Sequence, residues 1–521
     1  MMAGFRLRLS KYTLARMVRA LEGFGMRRTW YPLLLAPLML TGCGNAVMNP
    51  VSGQAERSVM SESAEVAEGQ KGHQQVLQEY GVVKDARLQA YVNELGQRLA
   101  RQSHRNQLQW HFTVLDSPEI NAFALPGGYV YVTRGIMAYM EDEADLAGVI
   151  GHEIGHVTAR HGAQRATRQQ DAGLGVLAAT LLGAVLESQG MSGAGQLASD
   201  VSQSVASGYI ASYGREQELQ SDQLGAEYLA RSHYDPQNMV NVISVLKNQE
   251  RFAADQARAE GRPVAEGRSW LASHPSNDER LRNITQLAAQ YKGRYNTEGR
   301  ERYLAAINGM AFGETAEQGL TRGRQFYHSS LGIALTAPSG WKIQNAPDQL
   351  ALVNAQGNAA LVLRAAPAQA GRAHEDVIRN WLKPTQGRTD RLTINGMPAT
   401  HFVGARANAQ GQSQALEATV VSGPNDKVYV LSYAAKDANT MAQVRRQLEE
   451  AQGSFRPMTN ADRAAAQPWS LKTTAYPRGG FSELARRSPL ERAEQQLRLI
   501  NGVYGGGEPQ LGQLVKIVQS L

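Results

Sequence analysis

Asp145-Leu-Ala-Gly-Val-Ile-Gly-His152-Glu153-Ile-Gly-His156-Val157 lies in the first third of a 521-residue chain. The pattern H-E-x-x-H puts His152 and His156 four apart, on one face of a helix, so both imidazoles can reach one metal ion. Imidazole suits Zn²⁺, and two His fill two tetrahedral corners. Glu153 stands beside them, placed to take a proton from water at the metal. The flanks are apolar, and Glu143 to Gln170 reads as one long helix. Buried His and Glu on such a helix need a partner, and a metal ion is one.

A catalytic zinc needs a third protein ligand and an open position. The candidate segment is Arg215-Glu-Gln-Glu-Leu-Gln-Ser-Asp-Gln-Leu-Gly225. Glu218 and Asp222 are four apart on one helical face. One carboxylate can bind the metal while the other accepts an N–H from a ligating His, which fixes the ring's tautomer. Glu216 is the rival ligand, but it has no acid four residues on.

These segments resemble the M48 peptidases, the family of the CaaX prenyl endopeptidases and of bacterial HtpX-type and BepA-type proteases. The resemblance covers roughly residues 60–290. It rests on Met60-Ser-Glu-Ser-Ala-Glu-Val-Ala-Glu-Gly-Gln70, Asn121-Ala-Phe-Ala-Leu-Pro-Gly-Gly128, the His152 motif, the Glu218/Asp222 helix, and His274-Pro275 with Arg280. It implies a mostly α, zincin-like metalloprotease domain with a small β-hairpin or sheet. It also implies His152, His156 and Glu218 as ligands of one Zn²⁺, Glu153 as general base, and Asp222 as the carboxylate behind a ligand. The hairpin of Asn121, Phe123 and Ala124 would supply the edge strand that pairs with an extended substrate.

In some relatives a His at the place of His274 fills zinc's fourth site and holds the enzyme latent; the alternative is a His-Pro cap before a helix. Arg280 has three readings: a partner for a site carboxylate, a partner for a tetrahedral oxyanion, or a residue on an outer helix face. Two departures from the family stand out. Gln220-Ser221-Asp222 replaces the usual Glu-Ala-Asp, and the C-terminal half lacks the tetratricopeptide pattern of the BepA type.

Outside the motifs, Ser61 to Arg101 reads helical, with Leu88, Tyr91, Val92, Leu95 and Leu99 as its core stripe. Trp110 to Leu115 reads as a strand and Asn121 to Thr133 as a hairpin. Gly173–Leu186 is apolar but too short to span a bilayer, and Gly190–Gly208 is Gly/Ser/Ala-rich. Helices are expected at Tyr213–Arg231, Pro236–Phe252 and Pro275–Tyr291, with a charged loop at Arg251–Arg268. The peptidase domain is thus expected over residues 61–300. An α+β accessory domain, weakly similar to PsbP-like domains, is expected at 320–456, with Asn395-Gly396 as a hairpin turn. Residues 457–468 read as a linker, and 469–521 resemble a divergent LysM module, a type that binds peptidoglycan.

The chain carries 54 Lys+Arg, 47 Asp+Glu and a net charge of +7. Six of those net charges lie in residues 1–42, leaving a nearly neutral body. Arg27-Arg28, the run Tyr31-Pro-Leu-Leu-Leu-Ala-Pro-Leu-Met-Leu40 and Thr41-Gly42 form a secretory signal, with 1–25 either an over-called start or a long n-region. Leu40-Thr-Gly-Cys43 resembles the bacterial lipobox, whose Cys is lipidated, and residues 43–60 read as a tether. Gly44 rather than Asp after Cys43 points to an outer membrane, with the body facing the periplasm. A single Cys excludes a disulfide framework within the chain. The body has no basic stripe or aromatic platform for nucleic acid. The reading is a zinc endopeptidase acting on unfolded or misassembled envelope proteins. Its alternative is a chaperone-like or peptidoglycan-tethering lipoprotein with a latent or structural zinc site.

Overall fold

The computed structural model describes residues 45–49, 53–58, 60–167, 213–259, 274, 278–295, 299–346, 349–407 and 413–520. The leader with Cys43, the apolar run 173–186 and the small-residue stretch 190–208 lie outside the described residues. Among the described residues no helix is long and apolar enough to cross a membrane.

The tether segment folds back on the body. Strands β1 (Asn45–Met48) and β2 (Ala55–Ser58) pair antiparallel, and Gln164 donates to Glu56. The expected helix over 61–101 is two helices, α1 (Glu62–Tyr80) and α2 (Ala86–Ala100). Gly81 ends the first at φ 68, a region open to glycine, and Asp85 caps the second by accepting from Arg87 N and Leu88 N. Leu88, Val92, Leu95 and Leu99 of α2 are buried, each contributing roughly 1.5–3 kcal/mol of apolar burial.

A three-stranded sheet follows in the order β3 (His111–Leu115), β5 (Tyr129–Thr133), β4 (Ala122–Leu125). The expected hairpin is β4–β5, closed by Gly127 and Gly128 at positive φ. Strand β3 pairs parallel with β5, leaving β4 as a free edge among the described strands. Helices α3 (Arg134–Tyr139) and α4 (Glu143–Thr158) come next. The expected long helix stops at Thr158 because Arg160 takes φ 59. There the Arg160 guanidinium pairs with buried Glu65 of α1, which also takes Arg105 Nη1 at 3.1 Å.

Helices α5 (Arg215–Arg231), α6 (Gln237–Ala259), α7 (Asp278–Ala288) and α8 (Gly299–Ile307) complete the helical layer. The segment from Arg251 to Ala259, expected as loop, continues α6 because its charges fall on the outer face. Every residue of α4 is buried, and α5 lies against it through glycines. A Cβ on Gly155 would sit 2.9 Å from the Ser221 carbonyl oxygen, and one on Gly225 would sit 3.1 Å from His152 N.

The middle region is antiparallel β. Its seven-stranded sheet has the order β6 (Lys342–Ala346), β7 (Gln349–Val353), β8 (Ala359–Ala365), β12 (Val428–Ala435), β11 (Ser413–Ser422), β10 (Met397–Ala407), β9 (Gln386–Ile394). Asn395 and Gly396, both at positive φ, form the two-residue turn joining β9 to β10. Helix α9 (Ala438–Gly453) buries Leu448 and Ala451 against Leu361 and Leu431. Residues 457–468, expected as a linker, hold the short helix α10 (Asn460–Ala465), closed by a Thr459/Asp462 capping box.

The C-terminal segment runs strand, helix, helix, strand: β13 (Trp469–Ala475), α11 (Gly480–Ala485), α12 (Ala493–Ile500), β14 (Leu514–Ser520). Leu471, Phe481, Leu497 and Val515 enter the same core as Leu88 and Ile150. Lys516 is fully buried, its Nζ donating to the carbonyls of Ala138 (3.0 Å) and Met140 (2.6 Å) at the end of α3.

Candidate metal centre

Helix α4 presents His152 and His156 one turn apart, and α5 presents Glu218 opposite them. Their ligand atoms, with one from His274, lie within 4.8 Å of one another, and all four residues are buried. The two Nε2 atoms face each other at 3.0 Å. Glu218 Oε1 lies 3.5 Å from His156 Nε2, and Glu218 Oε2 lies 3.6 Å from His152 Nε2. Glu153, on the same turn of α4, is fully buried.

The hydrogen bonds behind the imidazoles assign their tautomers. His152 Nδ1 donates to Asp222 Oδ1 at 2.8 Å, which leaves its Nε2 as a lone pair aimed into the cluster. A longer chain acts on His156. Gln220 donates to Asn49 Oδ1 (3.2 Å) and accepts from His161 Nε2 (2.8 Å). In neutral His161 the other nitrogen, Nδ1, then accepts from His156 Nδ1 at 2.8 Å. His156 Nε2 is thereby also a lone pair. Two bare imidazole nitrogens and a carboxylate converging in a buried space are the donor set that a zinc ion takes, so the residues present fit that ion.

Charge follows the same logic. Burial pulls the His156 imidazole well below its usual range, and the hydrogen bond to Glu218 opposes this only in part. Burial would raise Glu218, yet the neighbouring His274 and His156 hold it well below the usual carboxylate range. Burial likewise opposes ionisation of Asp222, and the Arg280 guanidinium overcomes it. The result is neutral imidazole beside ionised carboxylate, the protonation state that coordinates metal.

His274 is inside the cluster. Its Nδ1 lies 2.9 Å from Glu218 Oε1 and 3.2 Å from His152 Nε2, and its Nε2 lies 3.6 Å from Glu153 Oε1. Arg280 faces inward from α7: it holds Asp222 with two nitrogens and reaches Glu218 Oε2 at 2.7 Å. Among its three readings, the partner of site carboxylates describes this geometry. Of the edge strand, Ala124 shares a small pocket with His156, Leu125 and Pro126. Phe123 stacks on Tyr131, and Asn121 lies just ahead of β4 with its Oδ1 buried and without a hydrogen-bond partner.

Residues 86–288 match the sequence profile of Peptidase family M48. The matched stretch holds His152, His156, Glu218 and Arg280, so the cluster lies in the part of the chain that is similar to that family. It is 30% identical over 288 residues to the beta-barrel assembly-enhancing protease of Yersinia pestis, covering 52% of this chain and 56% of that one. The protein of the same name from Escherichia coli K12 is 30% identical over 277 residues, 52% and 53% of the two chains. The mitochondrial metalloendopeptidase OMA1 of Schizosaccharomyces pombe is 28% identical over 246 residues, 46% and 65%. The chain thus spans about half the length of the first curated relatives it matches. A solution structure of cyanobacterial PsbP from Synechocystis sp. PCC 6803 aligns over 27% of this chain and 98% of its own, at TM-score 0.19 and 11% identity, a likeness that decides nothing about the middle region.

Within the matched region, several contacts of the site had no reading in the sequence. Tyr213 stacks on His156, ring centres 3.9 Å apart, and burial pushes its phenol up to about 12. His161 lies only five residues beyond His156, a spacing that could have drawn attention to it. Gln220 stood out in the sequence only as a departure from the family pattern, and the glycines of the α4–α5 contact carry no signal.

Proposed function

We propose that this protein is a zinc-dependent endopeptidase of the bacterial cell envelope, with His152, His156 and Glu218 as metal ligands and Glu153 as general base. The observation that carries the reading is the convergence of two imidazole lone pairs and an ionised carboxylate beside the buried carboxyl of Glu153. Zinc held there supplies Lewis acidity to a scissile carbonyl. Glu153 takes a proton from the attacking water at its carboxylate oxygen and passes it to the leaving amine. Asp222 and Arg280 hold His152 in its coordinating tautomer. Strand β4 offers its free edge to an extended polypeptide.

His274 is the latch in this reading, occupying the place an incoming carbonyl would take. His274→Ala then raises basal cleavage, and unchanged or lower cleavage removes that role. The substrates are unfolded or misassembled envelope proteins, a reading supported by the names of the relatives and by the leader. Cys43 is the lipid-anchor site at the outer membrane, and Cys43→Ala should release the protein from the membrane fraction. The strand–helix–helix–strand order of residues 469–520 supports a peptidoglycan contact, tested by pull-down on purified sacculi.

The deciding experiment is Glu153→Gln. The variant should retain zinc and lose cleavage of an unfolded protein by about 10²–10⁴-fold, the usual worth of a positioned general base. Zinc retained with full cleavage would overturn the mechanism.

A further inference from the structure

A cleft of about 1130 Å³ opens between the peptidase domain and the seven-stranded sheet. Tyr80, Asp116 and Asn121 line one wall, and Asn345, Gln349 and Arg364 the other. The cleft adjoins the free edge of β4. Asn121 immediately precedes that strand, and the Tyr80 ring lies 5.8 Å from Phe123 of the same strand. An added strand pairs best antiparallel. A polypeptide running antiparallel to β4 passes His156 at the Leu125 end and leaves at Asn121, which is the mouth of the cleft.

Two features say what the cleft receives. Polar atoms in its wall lack partners: Thr315 is 93% buried, and neither its Oγ1 nor Asn121 Oδ1 has a hydrogen-bond partner. Both atoms are closed off from solvent, so a small turn of either side chain toward the cleft brings it to a peptide N–H and removes the penalty of a buried unpaired group. The charge is also one-sided. Six carboxylates line the cleft against three cations, and one of those cations, Arg134, is already bound to Asp116 at 2.6 Å. Glu79 and Glu317 stand exposed at the rim, while half-buried Val82, Val83 and Leu331 give the cleft apolar surface.

We propose that this cleft is a second substrate-binding surface, which takes an extended segment carrying Lys or Arg among apolar residues, on the C-terminal side of the bond at the metal centre. The proposal rests on the peptidase reading for its geometry. The buried acceptors meet backbone N–H groups, the acidic rim meets the cations, and the two surfaces together favour long unfolded chains over short peptides.

The test uses the full chain and three labelled peptides that share one core. The first is the core alone, the second adds a C-terminal extension of Lys and Leu, and the third replaces each Lys by Glu. Anisotropy is measured on Glu153→Gln and on Glu153→Gln with Glu79→Lys and Glu317→Lys. The Lys extension should tighten binding about tenfold, equal to about 1.4 kcal/mol. The rim reversals should remove most of that gain. Equal binding of all three peptides, equal gain from the Glu extension, or a gain that survives the reversals would each overturn the proposal. If the native chain cleaves no peptide, the peptidase reading fails on its own, and the anisotropy still decides the cleft.

Discussion

Arg280 grips Asp222 with two nitrogens, Nε on Oδ2 at 2.6 Å and Nη2 on Oδ1 at 2.7 Å, while Asp222 Oδ1 also holds His152 Nδ1 at 2.8 Å. A buried carboxylate is thus kept ionised by a fork on one side and fixes a ring on the other. Removing a partner of this kind lowers metal affinity by about 10–100-fold. Asp222→Ala should show that loss in competition with a zinc chelator. Arg280→Lys should show a smaller one, because an ammonium cannot bridge both oxygens.

The tautomer of His156 depends on Gln220 through His161. Gln220→Leu removes the acceptor that keeps the proton on His161 Nε2. Zinc affinity is expected to fall about tenfold, while thermal unfolding of the metal-free protein barely changes. An unaltered chelator titration would show that the relay does not act on the metal.

Gly155 lets α5 approach α4. In Gly155→Ala the new Cβ would lie 2.9 Å from the Ser221 carbonyl oxygen and 3.0 Å from Ser221 Cα, both backbone atoms. The helices must separate at a cost of about 1–3 kcal/mol, carrying Glu218 away from the two His. Thermal unfolding and zinc affinity should both drop. Gly453→Ala, where nothing lies within 4 Å, is the neutral control.

Burial pushes the Lys516 ammonium down to about 7, against the pull of Glu141. The unfolded lysine titrates near 10.4. Between those values the unfolded chain binds more protons, so stability should rise as pH goes from 7 to 9. Neutral Lys516 still donates to both carbonyls of the α3 end. Lys516→Met should flatten the rise and lose about 1–3 kcal/mol at pH 9, because Ala138 O and Met140 O lose their donor. Denaturant unfolding at the two pH values measures both effects.

In the middle region, Arg445 holds Glu417 bidentately at 2.8 and 2.9 Å and lowers its carboxyl below the usual range. A depressed folded value contributes stability above the unfolded pKa, near 4.3, and loses it as pH falls through the folded one. Glu417→Gln should therefore cost about 1 kcal/mol at pH 7, since Arg445 is partly exposed. The difference from the unaltered protein should vanish near pH 2.5 in urea unfolding.

The parts legible in the sequence were those set by local periodicity. The four-residue spacings of His152/His156 and Glu218/Asp222 each place two side chains on one helical face, and the structure brings those two faces together. The β4–β5 hairpin and the Asn395-Gly396 turn were also readable, because positive φ at such turns selects Gly and Asn. Helix ends were read less well. The breaks at Gly81 and Arg160 and the extension of α6 follow from capping and tertiary pairing, which no hydrophobic stripe reports.

Local spacing thus settled which residues share a face and which chemistry they could support. Only the packed structure decided which way Arg280 turns, that Gln220 and His161 stand behind His156, and that the C-terminal strand drives Lys516 onto the end of α3. Each of these joins residues distant in the chain or depends on how a side chain is oriented. Such contacts are selected by the fit of packed surfaces and the pairing of buried polar groups, and neither leaves a periodic trace along the chain.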